Sequence, residues 1–335
     1  MTPRVWDIIG RRGWGYALSA LVILPGVAAL IYYSASGQGA LNWGVDFTGG
    51  SYFQIRTERP ATTGQVRAVV NRFATGQSTI QRSEQDVFIR TRPLAPQARE
   101  GLLAALRSEF GTVAILREDE VGPKIGQELR NVAILAVVIG LTLQVVYISF
   151  RFKGLRYALA ADAALLHDLL VVLGIFAITR KEVNSAFVAV LLTVVGYSIN
   201  DTIVVFDRIR ENLALRTREA FDRLVNRSLL EALVRSINTS LTTILAIAAV
   251  FFFGGVTIRD FAFGLLVGIF VGTYSSIFNA SALLVDWTLW ADRRAGRARA
   301  AQDVETGGAT PAPVPAGAGP LPGDSGGRRR RSRRR

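Results

Sequence analysis

Six separated stretches of this chain are each long and apolar enough to cross a bilayer, and this constrains the fold more than any other feature. A helix needs about 20 mainly apolar residues to span a hydrocarbon core of roughly 30 Å. The stretches are Tyr16–Tyr33, Asn131–Phe150, Tyr157–Ile178, Ala186–Phe206, Ile237–Phe253 and Phe261–Leu284. The fifth is short, and lengthens if its polar lead-in from Leu229 is helical. Half of the 335 residues are hydrophobic and only 19% are charged, too apolar for an ordinary soluble domain. The expectation is an α-helical polytopic membrane protein with six transmembrane helices.

The formal charge of +13 resembles a nucleic-acid binder until the basic residues are placed on this topology. With a cytoplasmic N-terminus, the inner segments hold 3 Lys/Arg before the first span, 3 in Arg151–Arg156, 7 in Arg208–Arg235 and 11 after the sixth. The short outer loops hold only Arg180, Lys181 and Arg259, as the positive-inside rule requires. Both termini are therefore expected in the cytoplasm of a cell-membrane protein. The first span exceeds the usual 7–15-residue signal core and is expected to stay as an anchor, with Pro25-Gly26 inside it. There is no cysteine, which excludes disulfides, thiol catalysis and cysteine metal sites.

The pattern divides the chain into an N-terminus and first span (1–33), an outer domain (34–128), a membrane domain (129–286) and a disordered basic cytoplasmic tail (287–335). In the outer domain, strand-like Ser51–Thr57 is followed by amphipathic Thr63–Ala74 and two extended segments, Ser78–Arg82 and Asp86–Thr91. A second helix, Pro96–Phe110, and a last strand, Val113–Val121, complete it. This βαββαβ order predicts an α+β ferredoxin-like domain. The inner loop 207–236 mixes charge with Phe221, Leu224, Val225 and Leu229, as an interfacial amphipathic helix running into the fifth span would. Residues 303–327, rich in Pro, Gly and Ala, are expected to be disordered. The chain ends in seven arginines among eight residues, suited to anionic lipid, to RNA or to an acidic partner surface.

Polar residues inside spans are the candidates for chemistry, because each charge costs about 2.5–3.5 kcal/mol to insert. The fourth span carries Thr193, Tyr197, Asn200 and Asp201 along one helical face. The fifth carries Arg235, Asn238, Thr239 and Thr242 in the same manner. Asp201 lies five residues before the inner end of its span, roughly 7–8 Å at 1.5 Å per residue, and Arg235 begins the next span at similar depth. Facing each other, they form either a proton switch, in which moving the arginine lets the aspartate bind a proton, or a static ion pair. The third span adds Asp162, His167 and Asp168; His167 is the single histidine, either a proton relay or a hydrogen-bonding residue. Asp162 and Asp168, about 240° apart around a helix, are not expected both to face Asp201. Gly264, Gly268, Gly272, Ser276 and Ala280 form a small-residue ridge for close packing, within the chain or with a partner. Asp46, in a glycine-rich turn, reads as a turn or cap residue.

Several segments together resemble the SecF family of protein-export subunits. They are Gly44-Val-Asp-Phe-Thr-Gly-Gly50, Val121-Gly-Pro-Lys-Ile-Gly-Gln-Glu-Leu129, Leu166-His-Asp168, the long run from Leu192 through Gly196-Tyr-Ser-Ile-Asn-Asp-Thr202 to Asn212, Thr239-Ser-Leu-Thr-Thr243, and Gly268–Ser276. Asp162 and the arginine tail have no expected counterpart in the family. The resemblance implies a partner, SecD, in a pair similar to the resistance-nodulation-division transporters. It also implies binding to the SecYEG channel and to YajC, contact of the outer domain with the translocating polypeptide, and use of the proton-motive force. It carries proton coupling to Asp201 and Arg235, with His167 and Asp168 secondary, and implies no cofactor or metal, only protons as coupling ion. The alternatives are a non-catalytic scaffold subunit of the translocon and half of a small-molecule transporter of the resistance-nodulation-division type. An intramembrane aspartyl protease using Asp201 and Asp168 is disfavoured, because Asn200 precedes Asp201 where a Gly-x-Gly-Asp signature needs glycine. The chain is therefore read as a transport subunit, not an enzyme.

Overall fold

The computed structural model describes residues 6–74, 78–83, 86–215 and 219–305. In chain order the elements are α1 (Arg12–Ala35), β1 (Asn42–Trp43), α2 (Val45–Thr48), β2 (Gly50–Thr57), α3 (Thr63–Val70), β3 (Thr79–Ser83) and β4 (Asp86–Thr91). They continue with α4 (Pro96–Phe110), β5 (Val113–Val121), α5 (Pro123–Phe152), α6 (Leu155–Thr179), β6 (Glu182–Val183), α7 (Ser185–Ala214), α8 (Phe221–Phe253), α9 (Val256–Ser275) and α10 (Ser281–Glu305). A π-helical turn, Ser276–Ala280, joins the last two. Among the described residues six segments are long and apolar enough to span a membrane: α1, α5, α6, α7, α8 and the composite Ile258–Arg294.

The outer domain follows from its alternating pattern. Phe53, Ile55, Val87, Ile89 and Ile80 point from the strands onto Val66, Val69 and Val70 of α3 and Leu102, Leu106 and Phe110 of α4, forming one buried core. Thr62 and Gln65 form a reciprocal capping box that starts α3. The sheet runs in the order β3-β4-β2-β5, with every neighbouring pair antiparallel. This order is compatible with the expected ferredoxin-like arrangement.

Asp207–Ala214 of the inner segment close α7, and from Phe221 the segment forms the first part of α8, a helix of 33 residues that runs on through the fifth span. Asn226, near its start, holds the N-terminal segment: its Oδ1 accepts from the backbone N of Ile8 and Ile9, and its Nδ2 donates to the Trp6 carbonyl. The sixth helix also runs further than expected, to Glu305, so the tail assigned to 287–335 begins as helix. The chain divides into one compact unit up to Leu289 and another from Trp290. The arginine run, and residues 306–327 of the Pro/Gly-rich stretch, lie outside the described residues.

The glycine ridge packs inside the chain, against α7. A Cβ at Gly264 would lie 2.9 Å from Val190 Cγ1, one at Gly268 2.0 Å from Val194 Cγ2, and one at Gly272 3.0 Å from Ser198 Cβ. Val190, Val194 and Ser198 recur every four residues and form the matching face of α7. Gly26 plays the same part in α1, where a Cβ would sit 2.7 Å from Gly174 Cα of α6. The faces of α5 and α8 are left mostly uncovered: only 6% and 11% of their spanning windows are buried, and outward residues such as Leu135, Leu143 and Leu245 are apolar. Such faces suit lipid or another membrane subunit.

Candidate functional site

Asp168, in the middle of α6, has no exposed surface and gathers three helices. Ser198 of α7 and Ser275 of α9 both donate to its Oδ2, at 2.6 and 2.7 Å. The other carboxylate oxygen lies 2.9 Å from Nδ1 of His167. Ser275 reaches Asp168 because Gly272, one turn earlier, lets α9 lie against the Ser198 backbone. The neighbouring hydroxyls extend the network: Ser276 Oγ lies 2.9 Å from Thr202 Oγ1 and donates to the Ser198 carbonyl. A π turn begins at Ser276, and this wider helical geometry often accompanies functional sites.

Asp201 lies one helical turn beyond Ser198 on α7 and is 3% exposed. Its Oδ2 accepts from Ser240 of α8 at 3.1 Å. Thr273 of α9 lies 2.7 Å from the same serine hydroxyl, and the Tyr197 hydroxyl approaches both Ser240 and Thr243 at 3.4 Å. Two buried carboxylates are thus held by separate hydroxyl clusters, each bringing together α7 and α9.

Arg235 does not pair with Asp201. Its side chain is exposed, and the face of α8 turned to Asp201 carries Ser236 and Ser240, both buried. One residue along a helix is a rotation of about 100°. With Ser236 turned inward, Arg235 therefore points out. The rest of the expected stripe is divided in the same way. Thr193, Asn200, Asn238, Thr239 and Thr242 are exposed, and Tyr197 alone among these stripe residues joins the buried network. Thr193, Thr239 and Thr242 satisfy their hydroxyls on carbonyls of their own helices.

The sequence marks the carboxylates but not their donors. Ser198, Ser240, Thr273, Ser275 and Ser276 all lie within the segments that carry the family resemblance, yet a serine in an apolar helix carries no periodic signal of its own. The aspartates themselves were the available signal, since a buried carboxylate must be supplied with hydrogen-bond donors. Asp162 takes no part in the network: among the described residues both its carboxylate oxygens are buried without a hydrogen-bond partner, as is Nε2 of Gln144 on α5. Among the described residues no group of His, Cys, Asp and Glu is arranged to hold a metal ion.

The family described as protein export membrane protein SecD/SecF, C-terminal, matches residues 102–290, and the SecD/SecF GG motif matches residues 40–61. The protein translocase subunit SecF of Thermobaculum terrenum is 43% identical over 84% of this chain and 93% of its own length. SecF of Thermodesulfovibrio yellowstonii is 39% identical over 83% of this chain and 93% of its own. The crystal structure of SecDF from Thermus thermophilus, described as a translocon-associated membrane protein, aligns with a TM-score of 0.77 at 38% identity, covering 85% of this chain. This chain spans 39% of that solved chain.

Proposed function

Since this chain belongs to the SecF family of protein translocase subunits, we propose that it joins a SecD-like partner and couples the proton-motive force to polypeptide export through the SecYEG channel. The observation that carries this reading is Asp201, a carboxylate 3% exposed within a membrane helix, whose hydrogen-bond donor is a neutral hydroxyl rather than a cation. Neutralising such a group with a proton removes the cost of a charge in the membrane, so its proton occupancy and the packing of α7 against α8 are linked. A proton crossing the membrane potential yields about 2.3 kcal/mol per 100 mV, enough to bias a helix rearrangement. Asp168 with His167 forms a second group able to take part.

The exposed Arg235 supports the need for a partner. It opens a polar face, continued by Asn238 and Thr242, on a span that this chain leaves largely uncovered. A guanidinium in the inner part of a span is costly in lipid and favours a second membrane subunit. In the Thermus thermophilus fusion protein, SecDF, such a complement would reside in the same chain. The orientation in this reading puts both termini in the cytoplasm and the domain built on β2–β5 outside.

Export into membrane vesicles that contain the full chain, its partner and the channel tests the proposal. Asp201→Asn is expected to abolish the stimulation of export by a proton gradient while leaving co-purification with the partner intact. Stimulation equal to wild type would refute a coupling role for Asp201, and is what a passive scaffold subunit would give.

A further inference from the structure

The segment from Asn42 to Gly50 is a clasp between the outer domain and two membrane helices. β1 pairs in parallel with β6, Asn42 opposite Glu182 and Trp43 opposite Val183. The Gly44 amide adds a 2.9 Å bond to the Val183 carbonyl. Next, Oδ2 of Asp46 accepts from the backbone N of Ser185 at 2.8 Å. Ser185 is the first residue of α7, so a side chain remote in sequence caps the helix that carries Asp201. Asn184 caps the same end from within the chain segment, its Oδ1 accepting from Phe187 N at 3.1 Å.

The outer domain grips the same segment from the other side. Arg90 of β4 forms an ion pair with Glu182 and donates to Asn42 Oδ1 at 2.9 Å. Close packing leaves the clasp little room. A Cβ at Gly44 would lie 2.5 Å from Glu182 Oε1, and one at Gly49, where φ is +71°, would lie 2.7 Å from Cα of Pro123 at the start of α5. A Cβ at Gly126 of α5 would lie 2.8 Å from the Gly49 amide. β5 itself continues into α5 across the single residue Gly122. From Ser185 to Asp201 is one uninterrupted helix of roughly 24 Å at 1.5 Å per residue, which carries a displacement at one end to the other.

We propose that Asp46 is a positioning residue: it fixes the N-terminus of α7 to the start of the outer domain, so that movement of the helix bearing Asp201 moves the outer domain with it. This rests on the reading of Asp201 as the proton-coupled group. The clasp stays closed through the cycle and acts as a rigid strut.

The absence of native cysteine permits a direct test in vesicles containing the full chain, its partner and the channel. Paired strands lie about 4.8 Å apart, within the ~4.4–6.8 Å range of Cα separations that a disulfide bridges, so Trp43→Cys with Val183→Cys can lock β1 to β6. Asp46→Ala is expected to lose the stimulation of export by the proton gradient while basal export and partner co-purification persist; Asp46→Asn, which retains an acceptor oxygen, keeps it. Closing the disulfide in the Asp46→Ala chain restores the stimulation, and reducing it removes the stimulation again. Full stimulation in Asp46→Ala, or a completely formed disulfide that fails to restore it, overturns the proposal. Asp201→Asn is measured alongside: if it loses stimulation while Asp46→Ala retains it, the clasp alone is refuted, and if it retains stimulation both readings fall. Should Asp46→Ala not assemble, the disulfide in the otherwise unaltered chain decides. Undiminished stimulation with the lock closed supports a strut, and its loss shows that the clasp must open.

Discussion

Ser240 of α8 donates a 3.1 Å hydrogen bond to Asp201 of α7, and this contact sets how the two helices face one another. The serine turns one side of α8 toward the carboxylate and, by helical geometry, turns Arg235 away. The structure thus has an exposed arginine and a hydroxyl-bonded aspartate. Arg235 is exposed on the other side of α8.

Ser240→Ala should expose the importance of this bond. Removing the donor leaves Asp201 buried with an unmet acceptor, at a cost of about 1–3 kcal/mol. The expected outcome is a lower melting temperature of the detergent-solubilised complex and an altered dependence of export on the proton gradient. Ser240→Thr, which preserves the hydroxyl, should remain close to wild type in gradient dependence. Equal behaviour of the two variants would remove Ser240 from the site.

The spans and the outer domain were legible because their signals are periodic. The strands at Asp86–Thr91 and Val113–Val121 and the helix at Pro96–Phe110 have the boundaries read from the sequence. The separation of Asp201 from Arg235 was not legible, since stripes of polar residues on two helices do not state which part of each stripe turns inward. Nor does a ridge such as Gly264–Ala280 identify the helix that fills it. Only the contact with Val190, Val194 and Ser198 shows that the ridge closes the chain on itself. Asp46 is a related case: its role as a cap was readable from its turn-rich setting, whereas its target, Ser185, lies 139 residues away.

Gly268 offers a test of that packing. A methyl group there would meet Val194 Cγ2, and overpacking of this kind costs typically about 1–3 kcal/mol. Gly268→Ala should destabilise the purified subunit, and Val194→Ala in the same chain should recover part of the loss. Thermal unfolding of the two single variants and the double variant forms a mutant cycle. Strict additivity would mean that the two residues do not share the contact.

Glu182 makes the clasp sensitive to pH. Burial raises its carboxyl above the usual glutamate range, while Arg90 pulls in the opposite direction and offsets only part of that rise. The folded protein consequently holds the proton more tightly than the unfolded chain. Stability is thus greatest below the ordinary glutamate value, about 4.3, and declines as pH rises through the raised folded value. Glu182→Gln should remove this slope within that window, and unfolding measured across mildly acidic pH will show it. A slope unchanged by the substitution would place the pH dependence in another group.

Asp168 separates a structural lock from a second proton site. Asp168→Ala would strand two serine hydroxyls and His167 Nδ1 between α6, α7 and α9, so a large loss of stability is expected whichever role holds. The informative substitutions are milder. Asp168→Asn keeps an oxygen that can accept from Ser198 and Ser275 but cannot exchange a carboxyl proton, and His167→Gln keeps a polar side chain without a titrating ring. If Asp168 only locks the helices, Asp168→Asn should assemble and export with wild-type dependence on the proton gradient. If the His167–Asp168 pair carries protons beside Asp201, both substitutions should weaken that dependence while the complex remains intact. The second outcome is the one expected under the proposed function. Vesicle export measured with and without a proton gradient, normalised to the amount of assembled complex, distinguishes the two.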